Sequence, residues 1–279
     1  MIVKNEAHVI LRCLASVRPF IDSWVIVDTG STDGTQDIIR DALKEVPGEI
    51  FERPWKNFGH NRSEALQLAK GCADYIFVID ADDELVIAPD YSRPVLTADA
   101  YYMQIKHGTI DHWRVSLVSS RLDWKYVGIL HEYLDSGSKH TSDKFTGVQI
   151  SIHAEGARSK MLSEVEKYLR DARVLEQGLV DEPDNARYVF YLAQSYRDAG
   201  EFKKSLKTYQ RRTAMGGWNE EVWYSLLEVA KLSERLQLAP EIVTPLYLEA
   251  FQARPQRAEP LVELARFHRE KKQFALAGC

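Results

Sequence analysis

Four carboxylates fall within five positions at Asp80-Ala81-Asp82-Asp83-Glu84, directly after the apolar run Tyr75-Ile76-Phe77-Val78-Ile79. Like charges this close repel one another, so the cluster is costly unless a cation sits among them. A hard divalent cation held by carboxylate oxygens would in turn grip a diphosphate. Taken alone, the run also reads as a solvated loop or as the acidic start of a helix. A second candidate is Asp28-Thr29-Gly30-Ser31-Thr32-Asp33-Gly34-Thr35, which follows the short apolar run Trp24-Val25-Ile26-Val27. Its glycines and short polar side chains make a tight turn that caps the next helix and can bring backbone close to a nucleotide. An ordinary strand-to-helix turn has the same composition. The loop has neither the Gly-x-Gly-x-x-Gly pattern nor a terminal Gly-Lys-Ser/Thr, which argues against a dinucleotide oxidoreductase and against a P-loop ATPase.

The elements that must carry these residues alternate in the first half of the chain. Gln36 to Lys44 is predicted as a helix with Ile38, Ile39 and Leu43 on one face, and Ile50 to Arg53 as a strand. Arg62 to Lys70 is predicted as a helix, and Tyr75 to Ile79 as a strand covered on both faces. Such alternation argues for a mainly parallel sheet, whose ligands bind beyond the carboxyl ends of the strands. Asp28 and Asp80 sit at such ends. His153 closes the alternating run Val148 to Ile152 near a change in the chain's character.

From Ser163 onward the pattern is helical. Ser163 and Glu166 have capping-box spacing. Paired helices follow over 186–199, 202–215, 220–236, 240–253 and 258–271. Leu192, Ala193, Tyr196, Gly200, Ser205 and Tyr209 have the offsets of a tetratricopeptide-type repeat, and Tyr247, Ala250 and Pro255 echo the end of that pattern. The expected domains are 1–158 and 159–279.

Composition narrows the function classes. The 279 residues carry a net charge of -5 with Lys and Arg scattered, so no nucleic-acid footprint is present. No apolar run reaches the roughly 18 residues of a membrane span. Cys13, Cys72 and Cys279 are far apart and odd in number, which indicates neither a disulfide framework nor a zinc cluster. A soluble, cytoplasmic protein is expected. Met1 falls inside the first predicted strand and Cys279 inside a helical repeat, so a longer natural chain is expected.

Taken in order, the motifs resemble family 2 glycosyltransferases of GT-A fold. Those motifs are Met1-Ile2-Val3-Lys4-Asn5-Glu6, Val27 to Thr35, and Asp80 to Leu85. Phe58-Gly59-His60-Asn61-Arg62 and Trp124 to Leu134 resemble the subgroup carrying a C-terminal tetratricopeptide-like domain. Ser63 departs from the Asn of many relatives. The resemblance implies an α/β, Rossmann-like nucleotide-diphospho-sugar transferase domain followed by an all-α repeat domain.

It also implies roles. Val3, Asn5 and Glu6 would lie near the base and ribose, and Asp28 and Gly30 would hold the nucleoside. Arg62 would be a cationic contact. Asp80-Ala81-Asp82 would be the Asp-x-Asp motif, with Asp80 near the ribose and Asp82 on a Mg or Mn ion. Glu132 would be the base that deprotonates the acceptor, with His131 orienting it or touching the acceptor; Asp135 is the rival base. His153 would be either a further metal ligand or structural. Arg158, Ser159 and Lys160 would cover the diphosphate or form a solvated linker.

The expected activity is inverting transfer from a nucleotide diphosphate sugar, a UDP-sugar above all, to a glycan, lipid-linked saccharide or peptide. The helical domain would serve the acceptor or self-association. Two rivals are a peptide-binding repeat scaffold with a decayed transferase domain, and a nucleotidyltransferase. The intact Asp80-Ala81-Asp82 and His131-Glu132 argue against decay. The absence of an early Lys- and Gly-rich loop argues against the second rival.

Overall fold

The computed structural model describes residues 1–157, 163–273 and 276. The chain divides into two compact units, Met1–Met161 and Leu162–Cys279. The expected division after residue 158 lies outside the described residues.

The first unit opens with β1 (Ile2–Val3), α1 (Ile10–Val17), β2 (Trp24–Asp28), α2 (Thr35–Ala42) and β3 (Gly48–Glu52). The three strands form a parallel sheet in the order β1-β2-β3. Helix α1 buries Ile10, Cys13, Leu14 and Val17, one stripe at helical spacing. Ile10 and Leu14 meet Val3, Ile26, Ile39 and Leu43 in a core beneath the strand ends. Helix α3 (Phe58–Ala69) starts earlier than its apolar stripe suggests, because the Asn57 side chain accepts the His60 N–H and caps it.

The remaining strands are β4 (Tyr75–Phe77), β5 (Asp83–Ile87), β6 (Ala100–His107), β7 (Ile110–Ser119), β8 (Lys125–Val127), β9 (Tyr133–Asp135) and β10 (Ser142–Ile152). Five of them form a mixed sheet in the order β4-β7-β6-β10-β5. This corrects the expectation of a mainly parallel sheet: β4–β7, β6–β7 and β10–β5 are antiparallel, and β10–β6 is parallel. The cause is local. Gly108, at φ +58°, lets β6 and β7 close as a tight hairpin, which needs no crossover helix. Strand β5 begins inside the acidic cluster, at Asp83, so the cluster is a short turn between strands rather than a helix start. Tyr101, Met103, Ile105, Leu117, Phe145 and Ile150 form the core against this sheet.

The second unit is helical: α4 (Glu164–Asp181), α5 (Ala186–Asp198), α6 (Phe202–Ala214), α7 (Asn219–Arg235), α8 (Pro240–Ala253) and α9 (Glu259–Glu270). The Ser163–Glu166 capping box is formed in both directions. Helix α5 ends in a Schellman motif: Gly200, at φ +81°, lets the Glu201 N–H reach the Tyr196 carbonyl at 2.8 Å. The small pair Ala193 and Ser205 brings α5 and α6 together, and the Ser205 hydroxyl donates to the Ala193 carbonyl at 2.7 Å. Tyr209, Tyr247 and Ala250 are fully buried, as the repeat offsets require. Among the described residues no helix is long and apolar enough to cross a membrane.

Candidate active site

The loop after β2 is organised by the side chains of Asp28, Asn5 and Asp33. Asp28 is fully buried, and its Oδ1 accepts the Gly30 and Ser31 N–H groups, both at 2.7 Å. This Asx turn is possible because Gly30 takes φ +102°. The other oxygen, Oδ2, is buried with no hydrogen-bond partner among the described residues, which is costly unless something arrives to donate to it. Asn5 turns the chain out of β1 at φ +57°, a conformation Asn tolerates better than most residues. Its N–H donates to Ser31 Oγ at 2.9 Å and its Oδ1 accepts the Thr32 N–H at 2.8 Å. The Glu6 N–H donates to Thr35 Oγ1 at 2.8 Å, and the Ala7 N–H to Asp33 Oδ2 at 3.0 Å. Asn5, placed near the ribose by the resemblance, is thus the brace that fixes this loop to the end of β1. Val3 lies buried beneath it, its carbonyl accepting the Thr29 N–H at 2.9 Å.

The acidic turn after β4 is split into separate environments. Asp80 Oδ1 accepts Arg62 Nη2 at 2.6 Å. Burial pushes the Asp80 carboxyl up, but Arg62, helped by Arg114, overrides it and holds the group below the usual carboxylate range. Arg62 is also within 2.9 Å of Glu132 Oε1, close but out of line for a hydrogen bond, and lies over the Tyr126 ring at 5.5 Å. Burial disfavours its charge, but Asp80, Tyr126 and Glu132 more than compensate, so Arg62 stays a firm cation. Asp82 Oδ2 accepts the Gly156 N–H at 2.9 Å, and the Asp82 carbonyl accepts Arg12 Nη2 at 3.1 Å. Ala81 is buried between the two aspartates, packed into the core under β1. Asp83 is buried, with Arg114 at 3.8 Å. Burial, Asp80 and Asp82 together push its carboxyl up to about 7.

The segment 153–157 passes beside Asp82. The Ala157 N–H reaches Glu6 Oε2 at 3.1 Å, and His8 Nε2 meets the Glu155 carbonyl at 2.9 Å. Arg12 pairs with the Glu155 carboxylate at 2.8 Å. Glu6, half-buried, has its carboxyl pushed up by burial and by nearby Asp82, against the opposing pull of the Ala157 N–H. His153 Nε2 pairs with Glu84 Oε2 at 3.0 Å and is not brought to Asp82. Among the described residues, no three His, Cys, Asp or Glu side chains converge on one cation position. Arg158, Ser159 and Lys160 lie outside the described residues.

The stretch Trp124 to Leu134 is joined to α3. A Cβ on Gly59 would run into the Gly128 carbonyl, so this glycine is what allows α3 to press on the 126–132 loop. Ser63 Oγ accepts the Tyr126 N–H at 2.8 Å, filling the place where the family departure falls. Glu132 is only 11 % exposed, whereas His131 is exposed and sits at φ +52°. Asp135 closes β9 and accepts the Gly137 N–H at 3.0 Å. Glu132, Arg62 and Asp80 line a cavity of about 350 Å³ together with Tyr102, Arg114 and Tyr133. Arg114, Tyr102 and Arg12 carry no sequence signal of their own, because each is a single polar residue on a regular element. Tyr126 lies within the Trp124 to Leu134 motif and Gly156 a few positions after His153, but only the packing shows what they touch.

The donor set suits a hard cation. Asp82 offers carboxylate oxygen, and among the described residues only one of its two oxygens accepts a hydrogen bond. Mg and Mn take one or two protein carboxylates and complete their shell with phosphate oxygens and water, so no closed cage is required.

A parallel sheet with a braced turn after β2, and a mixed sheet whose strand β4 leads into the carboxylate turn, make an α/β domain of the GT-A kind, followed by a helical repeat unit. Glycosyl transferase family 2 matches residues 1–145, and the chain belongs to that family. It is similar to a TPR repeat-containing protein of Synechococcus elongatus, 26 % identical across 99 % of this chain and 72 % of that relative. It is also similar to the SPbeta prophage-derived glycosyltransferase SunS of Bacillus subtilis, 24 % identical across 76 % of this chain and 53 % of SunS. The chain therefore spans about half of SunS. Among solved structures, S. aureus TarS 1–349 in complex with UDP aligns over 90 % of this chain and 86 % of TarS, at 12 % identity and a TM-score of 0.39.

Proposed function

We propose that this glycosyltransferase performs a single-displacement, inverting transfer from a nucleotide diphosphate sugar, a UDP-sugar, to a hydroxyl, amide or thiol of a glycan, lipid-linked saccharide or peptide. The observation that carries the reading is the chain Asp80–Arg62–Glu132, at 2.6 and 2.9 Å, which ties the donor side to the acceptor side. The orphaned Asp28 Oδ2 supports a nucleoside N–H or O–H at the end of β2.

In this reading the loop 28–35 holds the nucleoside, with Gly30 keeping the backbone low. Val3, Asn5 and Glu6 fix that loop. Asp82 would hold Mg or Mn, and His153 could join only by leaving Glu84. The ion supplies charge neutralisation on the departing diphosphate. Glu132 takes the proton from the acceptor as its heteroatom bonds the anomeric carbon and the bond to the diphosphate breaks. Arg62 keeps Glu132 oriented. Arg158 would add a cation over the diphosphate.

Asp82→Asn tests the donor site. UDP affinity measured calorimetrically in Mn should fall at least about tenfold, and UDP-sugar turnover should be nearly lost. Wild-type behaviour of that variant, or undiminished wild-type activity in excess chelator, refutes the metal role.

A further inference from the structure

The five-stranded sheet has two faces of different character. Strand β6 lies between β7 and β10, and its alternate residues Tyr101, Met103 and Ile105 enter the core. Tyr102 and Gln104 therefore stand on the other face. Pairing places Trp113 of β7 opposite Gln104, and Lys144 and Gln149 of β10 beside Tyr102 and Gln104. Tyr102 is 39 % exposed and Trp113 38 %. Lys144 Nζ sits 4.6 Å from the centre of the Trp113 ring, which holds the indole in place without covering it. The side-chain amides of Gln104 and Gln149 make no hydrogen bond among the described residues.

Tyr102 and Trp113 are diagonal neighbours, roughly 7–8 Å apart at ordinary strand spacing. Tyr102 also lines the cavity of about 350 Å³ that contains Glu132, and the next aromatic in that wall is Tyr133, 47 % exposed. A row of aromatic side chains thus leads along the sheet face and into the cavity.

Flat rings and unengaged amides suit a sugar chain. A pyranose has a C–H face that packs on an aromatic ring, and rim hydroxyls that one amide can serve as donor and acceptor at once. Other occupants fit less well. An extended peptide joins a sheet through a free edge, whereas the β6 backbone is paired on both sides. An acyl chain or an amphipathic helix needs a continuous apolar surface, which the glutamines interrupt. The charges on this face are matched: Lys106 stands opposite Asp111, and Lys144 is engaged by the indole.

We propose that this face carries the acceptor: an uncharged oligosaccharide whose rings lie on Trp113 and Tyr102, and whose terminal hydroxyl is delivered past Tyr133 to Glu132. Trp113 is a specificity-determining residue that does not touch the reacting atoms. The inference rests on Glu132 facing the acceptor, as in the proposed reaction, and narrows the acceptor to a glycan.

The test is ligand-observed NMR titration of the full chain, without donor, against two probes. One is a panel of uncharged oligosaccharides of glucose, galactose, mannose and N-acetylglucosamine. The other is an unstructured peptide rich in Ser, Thr and Cys. Trp113→Phe keeps a flat ring, and Trp113→Leu keeps apolar area without one. At least one oligosaccharide should bind, near wild-type affinity in Trp113→Phe and roughly three- to tenfold more weakly in Trp113→Leu. Calorimetric binding of UDP with Mn should be unchanged in both variants, which shows them folded. No binding by any member of the panel, equal binding by Trp113→Leu, or binding of the peptide in place of the saccharides would each overturn the proposal. These readouts need no turnover, so they are independent of whether Glu132 is the base, which the rate of Glu132→Gln decides.

Discussion

At the residue scale, Arg62 decides how the site is wired. A guanidinium between Asp80 and Glu132 holds the Asp80 carboxyl below the usual carboxylate range and leaves Glu132, at 11 % exposure, pointing where its neighbour holds it. Glu132→Gln keeps that shape and removes the basic oxygen. Transfer should drop by roughly 100- to 10,000-fold while calorimetric UDP binding stays near wild type. Transfer at the wild-type rate would hand the role of base to another group, Asp135 first. Asp33 illustrates the supporting electrostatics. A small burial cost is outweighed by hydrogen bonds from the Thr35 hydroxyl and from the Ala7 and Thr35 N–H groups, so its carboxyl titrates below the ordinary range. A depressed folded value means stability that is present above the unfolded value of about 4 and lost as pH falls through the lower folded one. Asp33→Asn should therefore flatten the acid side of the melting-temperature profile between roughly pH 5 and 2. An unchanged slope would show that the loop is held without it.

At the scale of elements, the contact between α3 and the 126–132 loop brings Arg62 against Glu132. Gly59 carries that contact: any side chain meets the Gly128 carbonyl, and backbone cannot swing aside as a flexible side chain would. Gly59→Ala should cost about 1–3 kcal/mol, the usual range for overpacking, read as a lower midpoint in urea. Because the displaced loop carries Glu132, transfer should fall further than donor binding. A variant with wild-type stability and rate would show that the loop yields freely. Gly59 and Ser63 thus explain why two separated stretches, Phe58 to Arg62 and Trp124 to Leu134, belong to one site.

At the scale of the molecule, the helical unit has its own core and its own buried ionic pair, Arg212 with Glu221 at 3.0 Å. All donor-side residues precede it in the chain. We infer that this unit supports acceptor binding or self-association and is dispensable for nucleotide recognition. Tyr209, fully buried in the α5–α6 pair, is the place to test this. Tyr209→Ala leaves a cavity worth about 3–5 kcal/mol. The helical unit should melt earlier, and transfer should suffer above its transition. Calorimetric binding of UDP with Mn, measured at the same temperature, should persist. Parallel loss of both activities would tie nucleotide binding to the helices.

Much of this architecture is legible in local patterns. The apolar runs at Trp24 to Val27 and Tyr75 to Ile79, the capping box at Ser163 and the small-residue offsets around Gly200 each depend on neighbours a few positions away, so the sequence alone determines them. It also determines that Asp28 and Asp80 lie at strand ends, because both follow apolar runs in alternating α/β order. Three things were decided only by the tertiary structure. The antiparallel β6–β7 hairpin turned a parallel expectation into a mixed sheet, since strand direction depends on which edge a chain returns to. Asp80, Asp82, Asp83 and Glu84 were separated among Arg62, Gly156, Arg114 and His153, partners as far as 74 positions away. The third is the cavity lined by Trp24 to Ile26 of β2 and Tyr75 to Phe77 of β4, since a cavity is a property of facing walls and no single stretch of sequence contains both.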